Sequence, residues 1–195
     1  MKKATIALLL ICTSVFAQQK GTFTDTRDKK SYKTVKIGTQ TWMAENLNYD
    51  TKGSKCYDNK PANCEKYGRL YNWATAKSAC PKGWHLPSDE EWQGLVDFVG
   101  GDRLAGTYLK AKSGWNDNGG VSGNGTDNYG FSALPGGFGN SGGYFGIVGE
   151  SGSWWSATEG NASLAYGRDM GYGYAAAVSG DNDKSNLYSV RCLKD

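Results

Sequence analysis

The sequence predicts an α+β domain, with two main helices, small antiparallel sheets and a long glycine-rich loop region. Three patterns carry this. Residues alternate in the β manner near both ends of the chain. Helical spacing recurs twice in the first half. Glycine then dominates, with 22 of the 28 glycines lying between Gly100 and Gly180. Strands at each end with helices between them suit a fold whose terminal strands lie side by side.

The first residues read as a signal peptide. Lys2 and Lys3 form a basic start, Ala4 to Cys12 is mostly apolar, and Val15 and Ala17 set a cleavage site after Ala17. The apolar run is too short to span a bilayer, which takes roughly 20 residues. Cys12 raises the rival of a lipid-attachment box, but Ile11 before it is bulkier than such a box wants. Residues 1–17 are thus expected to be removed, 18–30 to form a flexible leader, and 31–195 to fold as a single domain. No second apolar span follows, so the mature chain is expected to have no transmembrane segment. Without Lys2 and Lys3, basic and acidic side chains nearly balance. That excludes the strong basic excess of a nucleic-acid-binding surface.

Within the domain, Tyr32 to Ile37 alternates, with Val35 and Ile37 on one face. Gly38-Thr39 suits a two-residue hairpin turn, and Thr41-Trp42-Met43 the return strand. Asn48 to Asn63 is a polar loop. Tyr67, Leu70, Tyr71 and Ala74 follow helical spacing and predict a first helix that ends near Cys80-Pro81. Ser88-Asp89-Glu90-Glu91 reads as a capping box for a second, with Trp92, Leu95, Val96 and Val99 on its inner face. A short third helix is expected over Leu104 to Lys110. Ser153 to Thr158 predicts a strand. Leu187 to Leu193 predicts another, with Tyr188, Val190 and Cys192 on one face and Ser189 and Arg191 on the other.

Four cysteines remain after cleavage. An even number in an exported chain points to two disulfides, with three possible connectivities. Cys56 and Cys64 flank a short turn and are natural partners, which leaves Cys80 for Cys192. Zinc is disfavoured, because the spacings are wide, no Cys-x-x-Cys occurs, and His85 is the only histidine.

Several blocks carry a resemblance. They are Tyr32 to Gly38, Gln40 to Tyr49, Cys80 to Ser88, Tyr129 to Gly137, Trp155 to Thr158 and Ser189 to Cys192. In this order they resemble the Fibrobacter succinogenes major paralogous domain family, over about Asp25 to Asp195. The resemblance implies a C-type-lectin-like fold whose helix–strand disulfide Cys80 and Cys192 fit. It also implies an exported or surface bacterial protein, and no established reaction. His85 to Trp92 is similar to a segment of formylglycine-generating and sulfatase-modifying proteins. Those need a reactive cysteine pair in the C-terminal half, where this chain has only Cys192.

The candidate chemistry is that of binding rather than catalysis. One histidine makes no Ser-His-Asp set. Asp89, Glu90 and Glu91 are explained by the dipole of a first helical turn. Trp115-Asn116-Asp117 is similar to a calcium-binding triplet of true C-type lectins but lacks its partner motif. Asp117, Asp127, Asp181 and Asp183 fall short of the six to eight oxygens that calcium takes, and they suit turns instead. No cofactor or metal is therefore expected, with calcium the lesser alternative. The aromatic residues are the stronger signal. Trp42, Trp73, Trp84 and Trp92 are expected in the core. Trp154 and Trp155, extended, point to opposite faces, so that one of them is expected at the surface. Trp115, Asp117, Asp127, Tyr144, Trp154, Trp155, Tyr172 and Tyr174 are the candidate ligand-binding residues, and polysaccharide the expected ligand, because sugar rings stack on aromatic faces while polar groups take their hydroxyls. The first expectation is an exported, non-catalytic binding or adhesion module. The alternatives are a structural cell-envelope protein without a small ligand and an enzyme of the formylglycine-generating type. Seven buried tryptophans on a smooth surface would favour the envelope protein.

Overall fold

The structure, a computed structural model, describes residues 19–195. The expected signal peptide, its expected cleavage site and Cys12 lie outside the described residues. The chain runs β1 (Lys20–Thr24), β2 (Ser31–Ile37), β3 (Gln40–Met43), β4 (Ser54–Lys55), α1 (Pro61–Tyr67), β5 (Leu70–Tyr71), α2 (Trp73–Ala79), β6 (Trp84–His85), α3 (Asp89–Phe98) and α4 (Asp102–Leu109). The glycine-rich half follows with β7 (Asp117–Asn118), β8 (Val121–Ser122), β9 (Phe138–Gly139), β10 (Phe145–Gly146), β11 (Ser151–Glu159), β12 (Leu164–Gly171), β13 (Ala177–Asp183), β14 (Tyr188–Ser189) and β15 (Leu193–Lys194). This is an α+β domain.

Two sheets organise it. One has the order β1-β2-β3-β15-β6, so the last strand lies against the first hairpin as expected. The other has the order β13-β12-β11-β14-β5-β4. The second is not purely antiparallel, because β14 pairs with β11 in parallel. The β2–β3 hairpin turns at Gly38-Thr39, where Gly38 takes φ 59°.

The second sheet is covered on both faces around β11, while its edge strand β13 is largely exposed. Trp92, Leu95 and Val96 of α3 pack with Trp42, Trp154 and Met170 on one side. Trp73 and Ala76 of α2 pack with Trp155, Ala165 and Tyr188 on the other. Ser88 starts α3 with the expected capping box: its hydroxyl accepts from the Glu91 backbone at 3.1 Å, and Glu91 accepts from the Ser88 N–H at 2.8 Å. The third predicted helix is α4.

Four sequence expectations are corrected. Residues 18–30, expected as a flexible leader, supply an ordered strand from Lys20. β1 pairs with β2 from Lys20↔Val35 to Thr24↔Ser31, and Arg27 then clamps the turn by bonding Asp25 and the Ala79 carbonyl. The helix predicted through Tyr67 to Ala74 is broken. Gly68 at φ 77° ends α1, and Leu70–Tyr71 becomes a strand because Tyr71 pairs with Tyr188. Helices thus number four among the described residues, rather than two main ones. Leu187 to Leu193 is not one strand either. The chain leaves the second sheet after Ser189 and joins the first at Leu193, and Arg191 between them is buried.

That crossing holds the centre of the molecule. The Arg191 guanidinium bonds the Asn46 side-chain oxygen at 2.7 Å and 3.0 Å, the Phe131 carbonyl at 2.5 Å and the Met43 carbonyl at 3.3 Å. It also lies over the Phe131 ring, 4.4 Å from its centroid.

Both disulfides form as expected, Cys56–Cys64 and Cys80–Cys192. The second closes a segment of 112 residues and the first one of 8. In the chain-entropy model, replacing Cys80 and Cys192 by alanine should cost about 4–5 kcal/mol in denaturant unfolding, and replacing Cys56 and Cys64 about 2.5 kcal/mol. The reverse order would show that strain, not loop length, sets their value. Truncating Arg191 to alanine strips donors from three buried acceptors and should cost about 3–5 kcal/mol. A variant as stable as wild type would show that the crossing needs no cation.

Candidate functional site

The tryptophans are where the structure departs furthest from the expected binding surface. All seven are buried, the most accessible, Trp84, at 8%. Trp154 and Trp155 do point to opposite faces of β11, but both faces are covered, so neither reaches solvent. Their indoles are satisfied inside. Trp154 donates to the Asn46 side chain, Trp155 to the Tyr71 carbonyl and Trp115 to the Ala133 carbonyl, at 2.8, 2.8 and 3.0 Å. Tyr172 is half-buried against the same core as Trp115. Tyr144, in the β9–β10 connection, and Tyr174, after β12, are exposed. Asp117 stands on the exposed β7–β8 hairpin. Asp127 accepts from the Ser132 backbone and hydroxyl at 2.8 and 2.7 Å, as a turn-forming aspartate does. Of the eight candidates, Asp127 alone borders the cleft described next.

That cleft has a volume of about 790 Å³ and opens between β2, the C-terminal end of α1 and the loop from Asp127 to Leu134. Lys20, Lys30, Lys33 and Lys66 border it, with Glu45, Glu65 and Asp127 interspersed. Tyr32 and Tyr67 also line it but are buried. Lys30 donates to the Asn48 carbonyl at 2.6 Å, and Lys33 pairs with Glu45 at 3.8 Å. The Asn48 side-chain oxygen is buried there with no donor among the described residues. The Lys66 ammonium lies 4.8 Å from the Tyr67 ring centroid, and the Lys20 and Glu65 side chains have no ion-pair partner among the described residues. Sequence reasoning missed this site because its wall comes from segments up to about a hundred residues apart. The available signal was the exposed half of the β2 alternation, Ser31 and Lys33.

Several other titratable groups hold structure. Asp89 accepts from Arg168 at 3.0 Å and Ser179 at 2.8 Å, and Glu91 caps α3, so two of the three carboxylates in that row are engaged, while Glu90 is exposed. His85 is held between Asp195 at 2.7 Å and Glu91 at 3.1 Å. All four cysteines of the described residues are in disulfides. Among the described residues no group of three or more histidines, cysteines and carboxylates comes together as a metal site would.

The model of the Fibrobacter succinogenes major domain matches residues 35–194, which is most of the chain. The protein belongs to that family. No curated protein matches the sequence, and no solved structure does. The match begins inside β2, so β1 and the Lys20 and Lys30 edge of the cleft lie outside the matched residues of this Fibrobacter major domain.

The His85 pair makes a pH test. Burial lowers the imidazole pKa, but hydrogen bonds to Asp195 and Glu91 outweigh it and raise the value above the ordinary 6.5. A raised folded-state pKa adds stability that is fully present below about pH 6.5 and is lost as pH rises through the folded value. The melting temperature of the wild type should therefore fall relative to His85→Gln as pH climbs from 6.5. Parallel curves would show that the pair contributes nothing.

Proposed function

We propose that this Fibrobacter major domain is an exported, non-catalytic recognition module of C-type-lectin-like architecture, and that it holds a polysaccharide in the cleft between β2 and α1. One observation carries the proposal: an open cavity of about 790 Å³ whose rim interleaves amines and carboxylates. Such a lining suits a polymer rich in hydroxyl and charged groups, which it engages by hydrogen bonds rather than by stacking. Two closed disulfides support an oxidising, extracytoplasmic location. Among the described residues no helix is long and apolar enough to cross a membrane. A binding role is supported over a formylglycine-generating one by Cys192, whose sulfur is bonded to Cys80 and so offers no thiolate.

The second reading is a structural envelope protein, and the burial of all seven tryptophans favours it. A polysaccharide panel, including carboxylated polymers and isolated cell-wall glycans, separates the two. Lys33 and Lys66 are exposed, so Lys33→Glu with Lys66→Glu should leave the melting temperature nearly unchanged. The same double variant should weaken polymer binding by about tenfold or more. Unaltered affinity in the double variant would remove the cleft as the site. A wild-type domain that binds no polymer at millimolar concentration, yet assembles with envelope proteins, would establish the structural role.

A further inference from the structure

A second site stands on the other sheet. Alternate residues of a strand share a face, and one face of β12 reads Ala165, Gly167, Asp169, Gly171. The Tyr188 ring lies over Gly167, 3.6 Å from where a side chain would begin. The Tyr174 ring lies so close over Gly171 that a Cβ there would collide with it. Asp169 therefore stands between two phenol rings, which close the two ends of a slot by filling the space above the glycines. Its open side is β13. Val178, the cross-strand neighbour of Asp169, is 43% exposed, and Gly180, opposite Gly167, has nothing within 4 Å of its missing side chain.

The carboxylate in this slot has no cation beside it. Among the described residues its one hydrogen bond comes from the Ser153 hydroxyl, which pairs across from β11. Arg168 next to it in sequence points to the opposite face, where Asp89 and Gln93 engage it. Lys110 is nearby in the fold but spends its ammonium on the carbonyls of Gly171 and Tyr174. Burial pushes the Asp169 carboxyl up, against the Ser153 hydrogen bond and the Arg168 charge. Burial, then the Asp169 charge, raises both tyrosines as well, so each phenol stays neutral beside it.

A half-buried carboxylate without a counter-ion gains more from a cation than from a hydroxyl, and phenol faces attract cations too. The partly exposed Tyr174 also offers an apolar face to a sugar ring. We propose that this slot binds an amino-sugar unit, its protonated amine on Asp169 and its ring against Tyr174. The site does not depend on the cleft at β2.

Calorimetric titration of the mature domain tests it. The ligands are soluble glucosamine oligomers, at a pH where their amines are protonated, with N-acetylated oligomers, cello-oligomers of equal length and oligolysine as comparisons. The glucosamine oligomer should bind, the other two glycans about tenfold more weakly. Asp169→Asn keeps an acceptor for Ser153 and should fold, yet lose about tenfold in affinity. Tyr174→Ala should weaken binding, and the Lys33/Lys66 double variant should leave it unchanged. Equal affinity in Asp169→Asn, equal binding of cello-oligomers or of oligolysine, or no binding by wild type at millimolar concentration would each overturn the proposal. Should Asp169→Asn fail to fold, undiminished affinity in both Ser153→Ala and Tyr174→Ala would do so.

Discussion

A cation with no anion holds this molecule together. Arg191 is fully buried, and burial pushes its guanidinium down to about 9, despite the more distant charges of Glu45 and Asp127. A charge in that position is tolerable only when its donors are matched by acceptors in good geometry. Asn46 provides the centre of that match. Its side-chain oxygen takes two bonds from Arg191 and one from Trp154, and its amide nitrogen donates to the Tyr67 carbonyl and the Ser189 hydroxyl. One asparagine thus ties the end of the first hairpin to α1, to β11 and to the C-terminal crossing. The Phe131 carbonyl brings in the glycine-rich half. The neighbouring Cys80–Cys192 disulfide then fixes the crossing covalently to the end of α2.

The same node explains what the family likeness can and cannot convey. Asn46, Phe131, Trp155, Arg191 and Cys192 all fall inside the sequence blocks that resemble the family, and all are buried. Those blocks describe how the two sheets are joined. Lys20, Lys30, Glu65 and Lys66 at the cleft lie outside every block, as do Asp169 and Tyr174, while Lys33 and Glu45 of the same cleft fall inside two of them. A motif set concentrated on the core identifies a scaffold, and fold alone does not give function. Ligand choice in such a scaffold is free to sit in the segments between the blocks.

Local rules were legible in the sequence wherever a local interaction decided the outcome. The Ser88 capping box, the Gly38-Thr39 hairpin, the β11 strand and the pairing of four cysteines all depend on neighbours in sequence or on simple counting. The failures share a different cause. Tyr67 to Ala74 has helical spacing, but Tyr71 is claimed by Tyr188 more than a hundred residues later, and no window of local sequence contains that information. Residues 18–30 look like a polar leader because β1 is a sheet edge, with its side chains mostly exposed on both faces. The cleft was invisible for the same reason as the Tyr71 pairing: its wall is assembled across the fold.

The misplacement of the tryptophans has a more specific physical cause. A glycine-rich chain leaves irregular backbone, and irregular backbone leaves carbonyl groups without strand or helix partners. When such a chain is packed inside, those carbonyls need donors that also fill volume. An indole supplies both, a large apolar body and one N–H. Trp73 on the Ser156 carbonyl, within the register shift of β11, is such a pair; Trp115 adds a second donor to the Ala133 carbonyl, which also takes the Ala111 N–H, and Trp154 on Asn46 extends the device to a side-chain acceptor. Interleaved glycine and tryptophan therefore read the same way in sequence whether the ring faces a sugar or a carbonyl of its own loop. In this domain the carbonyls take the tryptophans. Tyrosine carries a hydroxyl that can be left in water, and Tyr144 and Tyr174 are exposed, together with Phe98 at the end of α3. That division places the rigid aromatic packing in the scaffold and leaves recognition to tyrosine edges, carboxylates and amines at the surface.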